Sequence, residues 1–226
     1  MNWFLANTGL VGDLMLQHAR LSVIPIVLGL VLAIPPGVLA WRWGWARGPV
    51  LAAFGLLYTI PSLALFVLLP PILGISFLSE LNVIIAMTIY AVALMTRFVT
   101  DALDAVDPAA RSSATAMGYS GWSRFWAVEL PLAGPVLLAG LRVVAVSTVS
   151  MVTVGVLVGI RSLGFLFMDG LQRGNAAQIV TGIVATVVVA LFFDLTLVLL
   201  GRILLPWNRR TPRVARRLAL RAGGAG

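Results

Sequence analysis

Three aspartates at regular spacing form the densest group of chemically active side chains in this sequence. Asp101, Asp104 and Asp107 carry carboxylate oxygens, the ligands that Mg²⁺ prefers. The alternative role is helix capping and solvation, because Asp107 precedes Pro108, a residue that fits the first position of a helix. We expect the capping role, and the sequence predicts no metal site.

The only histidine and the lack of cysteine limit the remaining chemistry. His18 has no cysteine or carboxylate cluster beside it in the sequence, so it does not suggest a metal centre. We expect it to be an ordinary residue at a membrane interface. The chain contains no cysteine, which excludes disulfides and thiol chemistry. No catalytic residue is predicted.

Hydroxyl and phenol groups inside apolar stretches are candidates for a transport pathway. Such residues either line a polar pore or pack helices together in membranes, and their spacing alone does not distinguish these roles. The candidate pore or substrate residues are Tyr58, Thr59, Ser62, Tyr90, Ser147, Ser150 and Thr153.

Two opposite charges fall inside apolar stretches, where an unpaired charge is costly. Arg142 lies roughly 16 Å and Asp194 roughly 12 Å from the same side of the membrane, at a rise of 1.5 Å per helical residue. These similar depths predict a structural ion pair between two helices. A role in gating is the alternative.

The composition is that of an integral membrane protein. Hydrophobic residues make up 60% and charged residues 11% of the 226 residues, whereas a soluble domain carries about 25% charged residues. The net charge of +8 comes entirely from arginines, which fit loops that face anionic headgroups better than a nucleic-acid surface.

Five apolar stretches approach the roughly 20 residues that a membrane helix needs. The third is short and the fourth is long, so we expect tilt or a break in both. Residues 1–20 are mixed in character and are expected to lie along the interface as a separate segment. The five stretches are Leu21–Trp41, Val50–Pro70, Leu81–Thr96, Leu132–Val158 and Ala177–Leu200.

Arginine counting predicts the orientation. With the N-terminus outside, eleven loop and tail arginines fall on one side and three on the other, so the first side is expected to be cytoplasmic. The cytoplasmic parts are then the Trp41–Pro49 turn, the loop 107–131 and a basic tail at 208–226.

The loop 107–131 is the only long polar segment in the middle of the chain. Asp107 and Pro108 predict a helix start, and Gly118 suits the residue after its end. We expect a second short helix to begin at Ser120 and to end at Pro131. A helix of about ten residues is marginal in water. We therefore expect the first helix to dock on a partner, although an idle interfacial loop is the alternative.

The same loop resembles the EAA loop of permeases from binding-protein-dependent ABC importers. Ser112-Ser113-Ala114 is followed by Gly118, and Leu130-Pro131 comes thirteen residues after that glycine, as in the family pattern. Most of Leu21–Trp207 is similar to the osmoprotectant branch, which imports glycine betaine, carnitine, choline and proline betaine. The stretches that carry this likeness are Thr59–Leu65, Val128–Pro135, Ala139–Arg142, Leu163–Phe165 and Leu204–Trp207.

The resemblance implies an all-α type I ABC importer domain at 21–207, with about five membrane helices and a cytoplasmic coupling helix. Two permease subunits would form the pore, cytoplasmic ATPases would bind ATP and Mg²⁺, and an extracytoplasmic protein would deliver substrate. This chain would hold no cofactor and bind no nucleic acid. The implied ATPase contacts are Ser112, Ser113, Ala114, Met117 and Gly118, and the tyrosines would suit a quaternary ammonium group.

Two departures from the family pattern bear on the partner permease. Ser112 replaces the glutamate that begins the family motif, and Leu94 and Phe98-Val99 replace a proline and an Asn-Thr pair near the end of the third span. These changes favour a heterodimer with a less divergent permease over two copies of this chain.

Three classes of function compete on the sequence alone. An importer permease requires no chemistry of its own, and the chain has no phosphate-binding loop of the Gly-x-x-x-x-Gly-Lys type. Its solute could be an osmoprotectant or another small molecule such as an amino acid. A membrane-embedded lipid-modifying enzyme would require clustered carboxylates or histidines. A channel or structural subunit would not require a docking helix.

Overall fold

The computed structural model describes residues 2–208, which form helices and no β-strand. The expected basic tail lies outside these residues, apart from Asn208. The helices are α1 (Asn2–Ala6), α2 (Thr8–Arg42), α3 (Gly44–Thr59), α4 (Ser62–Leu73), α5 (Glu80–Asp104), α6 (Pro108–Ala116), α7 (Gly121–Arg124), α8 (Leu130–Val152), α9 (Gly164–Gln172) and α10 (Ala176–Leu204). A π-turn spans Phe125–Glu129, and 3₁₀ helices span Thr153–Val158 and Pro206–Asn208.

Within residues 2–208, four helical stretches are long and apolar enough to cross a membrane, and a bent pair makes up a fifth. The four are α2, α5, Gly121–Val158 and α10, and the bent pair is α3 with α4. The all-α fold with about five membrane helices is thereby confirmed. The loop that contains α6 lies at one end of the bundle, here called the α6 end, and the segments 73–80 and 159–176 lie at the opposite end.

The second span, expected over Val50–Pro70, is divided into two helices. α3 and α4 meet at an angle of 99°. Pro61 has no N–H and disfavours helical geometry in the residue before it, and Ile60 accordingly has an extended backbone with ψ 128°. The Tyr90 hydroxyl donates a hydrogen bond to the Ile60 carbonyl, which keeps that group satisfied.

The third span is not short, and α5 continues through 25 residues without a break. Its last turns contain charges, and these are paired rather than helix-breaking. Arg97 lies 3.8 Å from Asp101 on the same helix, and Arg47 of α3 lies 2.6 Å from Asp104. The expected break in the fourth span does occur, where α8 changes to a 3₁₀ helix at Thr153.

The boundary expected at Arg20 falls inside α2, so residues 8–20 do not form a separate segment. Val11, Leu14, His18 and Leu21 are all buried. Their spacing of three or four residues places them on one helix face, and that face continues from the expected segment into the first span. The N-terminal part of α2 packs against α8, α9 and α10 rather than standing apart from the bundle.

Helices α2, α5 and α8 form the centre of the bundle, and glycines let their backbones approach closely. A Cβ atom on Gly29 of α2 would lie 2.4 Å from the Ala91 Cβ of α5. A Cβ atom on Gly140 of α8 would lie 2.4 Å from the Phe98 ring. Small residues at such crossings are how membrane helices gain packing energy without a hydrophobic driving force.

The tightest approach lies at the opposite end from α6. A Cβ atom on Gly164, the first residue of α9, would lie 1.9 Å from the Thr153 carbonyl oxygen. The contact is with backbone, which cannot rotate away as a flexible side chain would. Gly164 therefore fixes α9 against the start of the 3₁₀ helix.

We expect Gly164→Ala to lower the free energy of unfolding by about 1–3 kcal/mol or more, because the new methyl group overpacks a backbone contact. The measurement is the thermal midpoint of the purified protein in detergent.

Gly12→Ala is the matched control, since nothing lies within 4 Å of a Cβ atom at that helical position. It is expected to be neutral or to stabilise the helix by about 0.5–1 kcal/mol. Equal midpoints for the two variants would contradict the packing assigned to Gly164.

Candidate functional site

The sequence encodes both ends of helix α6. The Asp107 carboxylate accepts a hydrogen bond from the Ala109 N–H at 2.8 Å, and Pro108 occupies the first turn. At the other end Gly118 has φ 84°, and the Tyr119 N–H donates to the Ala114 carbonyl at 3.1 Å. This αL glycine with a bond back to the last turn is the Schellman type of helix end.

Four of the five candidate ATPase-contact residues are exposed on the α6 end. Ser112, Ser113, Met117 and Gly118 face outward, and Met117 exposes 70% of its surface. Ala114 is 1% exposed and packs inside the chain instead. The structure therefore separates an outward surface on α6 from one small residue that seats the helix.

From the sequence we expected the second helix of this loop to end at Pro131, but it continues into α8. The chain is helical from α7 through the π-turn into α8, and the Leu130 N–H bonds to the Phe125 carbonyl five residues back. The wider π-turn lies directly before Pro131, which has no N–H to give to the preceding turn. The Trp122 and Trp126 rings pack edge to face, 5.6 Å apart, and both are exposed.

A buried carboxylate holds α6 to the membrane helices, and sequence reasoning did not single it out. Glu129 is 1% exposed. Its Oε1 lies 2.9 Å from the Arg124 Nε and 3.8 Å from the Arg111 Nε. The Arg111 guanidinium also lies over the Trp41 ring, 5.1 Å from its centre. The detectable signal was the presence of two arginines and one glutamate in a loop with few other charges.

Three of the seven pore candidates come together between α3, α5 and α8. Tyr58, Tyr90 and Ser147 line a cavity of about 10 Å³. The two tyrosine rings lie edge to face at 5.8 Å. The space is about that of one water molecule, so the tyrosines do not form an open cage for a quaternary ammonium group in this conformation.

The other four pore candidates lie apart from this cavity. The Thr59 hydroxyl donates to the Leu56 carbonyl at 2.7 Å, and the Thr153 hydroxyl donates to the Ser150 carbonyl at 2.6 Å. Ser62 begins α4 and Ser150 is exposed on α8. Two of these hydroxyls thus cap carbonyls where helices break, a use that periodicity does not reveal.

Arg142 of α8 and Asp194 of α10 form a bidentate ion pair. The Arg142 Nε and Nη2 donate to the two Asp194 oxygens at 2.6 and 2.8 Å. The pair borders a groove of about 450 Å³ that Ser147 also lines. The arginine side chain is 41% exposed and the aspartate side chain 23%. The pair therefore joins two membrane helices and still reaches an open face of α8.

His18 is buried and not an interfacial residue, which corrects the expectation from the sequence. It has no exposed surface. Its Nε2–H donates to the Val149 carbonyl at 2.9 Å, and the Leu163 N–H donates to Nδ1 at 3.4 Å. A neutral imidazole thus joins α2 to α8 and to the turn before α9.

The three spaced aspartates have separate partners. Asp101 and Asp104 pair with arginines, and Asp107 caps α6. Within residues 2–208 no three side chains of histidine or acidic type come together as a metal site.

At the opposite end the Gln178 amide and the Arg173 guanidinium lower the pKa of Asp169, so this carboxylate stays charged and ties α9 to α10.

Comparison with known proteins connects this geometry to transport. The family described as "Binding-protein-dependent transport system inner membrane component" matches residues 21–210. The osmoprotectant import permease protein OsmW of Salmonella typhimurium is 30% identical, over 91% of this chain and 97% of that protein. A glycine betaine/carnitine/choline transport system permease protein of Bacillus subtilis, OpuCB, is 29% identical over 84% of this chain and 86% of the relative.

Solved structures show the same fold at lower identity. An inward-facing form of the MetNI methionine ABC transporter has a TM-score of 0.79 at 21% identity, covering 88% of this chain and 98% of that chain. An amino acid ABC transporter has a TM-score of 0.73 at 15% identity, covering 88% of this chain and 96% of that chain. At these identities the likeness establishes the architecture alone.

The Arg142–Asp194 pair is open to a charge-swap test. Arg142→Asp and Asp194→Arg each place two like charges together between membrane helices, at a cost of about 2.5–3.5 kcal/mol per stranded charge. We expect each single variant to reduce the yield of folded protein. The double variant should recover part of it, as measured by size-exclusion chromatography in detergent. A double variant no better than the worse single variant would rule out the pairing as the source of the effect.

Proposed function

Because the chain belongs to the family of binding-protein-dependent transport system inner membrane components, we propose that it is the permease subunit of an osmoprotectant importer. The chain is a multi-pass membrane transport subunit and not an enzyme. The observation that supports the proposed substrate class is the naming of relatives from Salmonella, Bacillus and Listeria as permeases for osmoprotectants, glycine betaine, carnitine or choline. Choline, carnitine and glycine betaine all carry a quaternary ammonium group.

The proposed motor is a cytoplasmic ATPase that grips α6. The exposed Ser113 and Met117 give α6 an outward surface of small and flexible side chains. ATP and Mg²⁺ would be bound by that ATPase, since the chain has no phosphate-binding loop. Ala114, being buried, would seat α6 from behind rather than contact the ATPase.

The proposed orientation places the α6 end in the cytoplasm and the N-terminus outside. The arginine bias of the loops and tail supports it. The opposite end, with α9, would then receive substrate from an extracytoplasmic binding protein. Lipid headgroups would surround both ends.

The proposed second permease packs along α8. One face of α8 is exposed at steps of four and three residues, a repeat close to that of helices that pack side by side. This face adjoins Ser147 and the Arg142–Asp194 pair, so it is also where a pathway between two permeases would run. The exposed positions are Leu132, Val136, Ala139, Val143, Val146 and Ser150.

The departures at Ser112, Leu94 and Phe98-Val99 favour a heterodimer. Purification of a complex with two copies of this chain and no other permease would overturn the heterodimer.

Uptake measurements test the substrate class. Cells that lack this chain should lose uptake of labelled glycine betaine, choline, carnitine or proline at high osmolarity, and the intact chain should restore it. The other labelled solute in the panel is methionine. Restoration of methionine uptake alone would replace the osmoprotectant assignment with an amino-acid one.

A substitution on α6 tests the docking surface. Ser113→Tyr puts a large side chain on the proposed contact and is expected to reduce co-purification of the ATPase by about tenfold, equivalent to about 1.4 kcal/mol. Ser76→Tyr adds the same side chain to an exposed position at the opposite end and should leave co-purification unchanged. Normal ATPase recovery with the Ser113 variant would exclude this face of α6.

A further inference from the structure

We propose that Glu129, with Arg111 and Arg124, locks α6 to the membrane helices, so that the helix and the bundle move as one body. Glu129 is thus a positioning residue for coupling. This inference rests on the proposed function, because it assumes that an ATPase moves α6. The exposed surface of α6 can bind an ATPase, but it cannot hold the helix to the bundle, and these three side chains do that.

The backbone alone holds α6 weakly. The helix has nine residues, and Ala114 is its only buried side chain. Short non-helical links precede and follow it, at Ala105–Asp107 and Met117–Ser120. A force applied to α6 would therefore bend these links before it moved α5 or α8, unless another contact stiffened the joint.

Glu129 supplies that contact from the start of α8. The π-turn before Pro131 adds one residue to a helical turn and thereby changes which side chain faces inward. Glu129 faces inward with its side chain 2% exposed, whereas the neighbouring Trp126 and Ala127 face outward. One carboxylate oxygen then lies between two guanidinium groups.

The two arginines extend the contact to the other elements. Arg111, on α6, donates to the Leu103 carbonyl in the last turn of α5 and stacks on Trp41 in the last turn of α2. Arg124, on α7, donates to the Thr115 hydroxyl of α6 at 2.7 Å. The cluster thus links α6 to α2, α5, α7 and α8.

Separation of α6 from α8 would strand a buried charge. Because the Glu129 carboxylate is buried, loss of its arginine partners is strongly unfavourable. The guanidinium groups are planar and hold fixed directions, so the joint resists rotation as well as separation. Movement of α6 is therefore passed on to the bundle.

Coupling measurements on the assembled importer, purified through a tag on this chain, test the lock. Glu129→Gln keeps the side-chain volume and removes the charge. In proteoliposomes with the binding protein and glycine betaine, we expect basal ATP hydrolysis to persist while betaine transported per ATP falls by about fivefold or more. Arg47→Gln is the matched control, since it breaks a 2.6 Å ion pair at the same end that does not involve α6. It should leave the ratio unchanged.

A distance measurement separates coupling from stability and from the substrate assignment. The chain has no native cysteine, so spin labels can be placed at Ala116→Cys on α6 and Leu204→Cys at the end of α10, both exposed. With the lock intact, the distance should be the same without nucleotide and with trapped ATP–vanadate. In the Glu129→Gln background it should shift or broaden on trapping.

The outcomes are distinct. An unchanged distance and an unchanged transport ratio in the Glu129→Gln variant would overturn the lock. If the unmodified importer does not transport betaine, the substrate assignment is overturned. The distance measurement needs no substrate and would still test the lock. If Glu129→Gln does not assemble, Arg111→Lys keeps the charge but loses the planar contacts with Leu103 and Trp41. A normal ratio and a constant distance in that variant would also overturn the lock.

Discussion

A backbone polar group in hydrocarbon must find a partner inside the protein, and this constraint explains where the polar side chains of the bundle lie. Each unsatisfied group costs several kcal/mol. Pro70 has no N–H for the Phe66 carbonyl, and the buried Asn82 amide donates to that carbonyl at 2.9 Å. The Thr153 N–H donates to the Met151 and Ser150 carbonyls and not to the Val149 carbonyl four residues back. The Val149 carbonyl accepts a hydrogen bond from His18 instead. The Tyr90 hydroxyl likewise donates to the Ile60 carbonyl.

These side chains supply hydrogen bonds to carbonyls that the broken helices leave without a backbone partner. The bend at Pro61 redirects the chain within a membrane span, and the change to a 3₁₀ helix at Thr153 ends α8. Either change without such partners would be costly in hydrocarbon. Charges obey the same rule at a higher cost, which is why Arg142 lies against Asp194. A polar residue that looks like a pore candidate in the sequence is thus often the partner of a broken turn.

The sequence predicted the features that depend on local patterns. The number of apolar stretches, the capping of α6 by Asp107 and its end at Gly118 all follow from composition and from residues a few positions apart. The depth of Arg142 and of Asp194 follows from counting along ideal helices. Family motifs placed α6 correctly because they record the same local pattern.

Sequence patterns failed where contacts between distant residues or an irregular helical turn decide the position of a side chain. The burial of His18 depends on a carbonyl 131 residues away. The inward direction of Glu129 depends on a π-turn, which shifts the helical face by one residue. The bend at Pro61 follows from proline geometry, but the partner of the carbonyl that it frees, Tyr90, lies on another helix. A single sequence gives no signal for such pairs.

Helix α8 connects the two ends of the molecule. Its first turn follows Glu129, its middle carries Arg142 and Ser147, and its end supplies the Val149 carbonyl that His18 binds. A helix whose internal hydrogen bonds are intact transmits displacement along its axis, whereas a broken helix such as α3–α4 absorbs it. The continuous part of this span follows the Glu129 ion pairs at the α6 end and ends at Thr153, where the 3₁₀ helix begins. In the proposed importer, motion that enters at α6 would reach the turn before α9 through α8, because Gly164 packs directly on the Thr153 carbonyl.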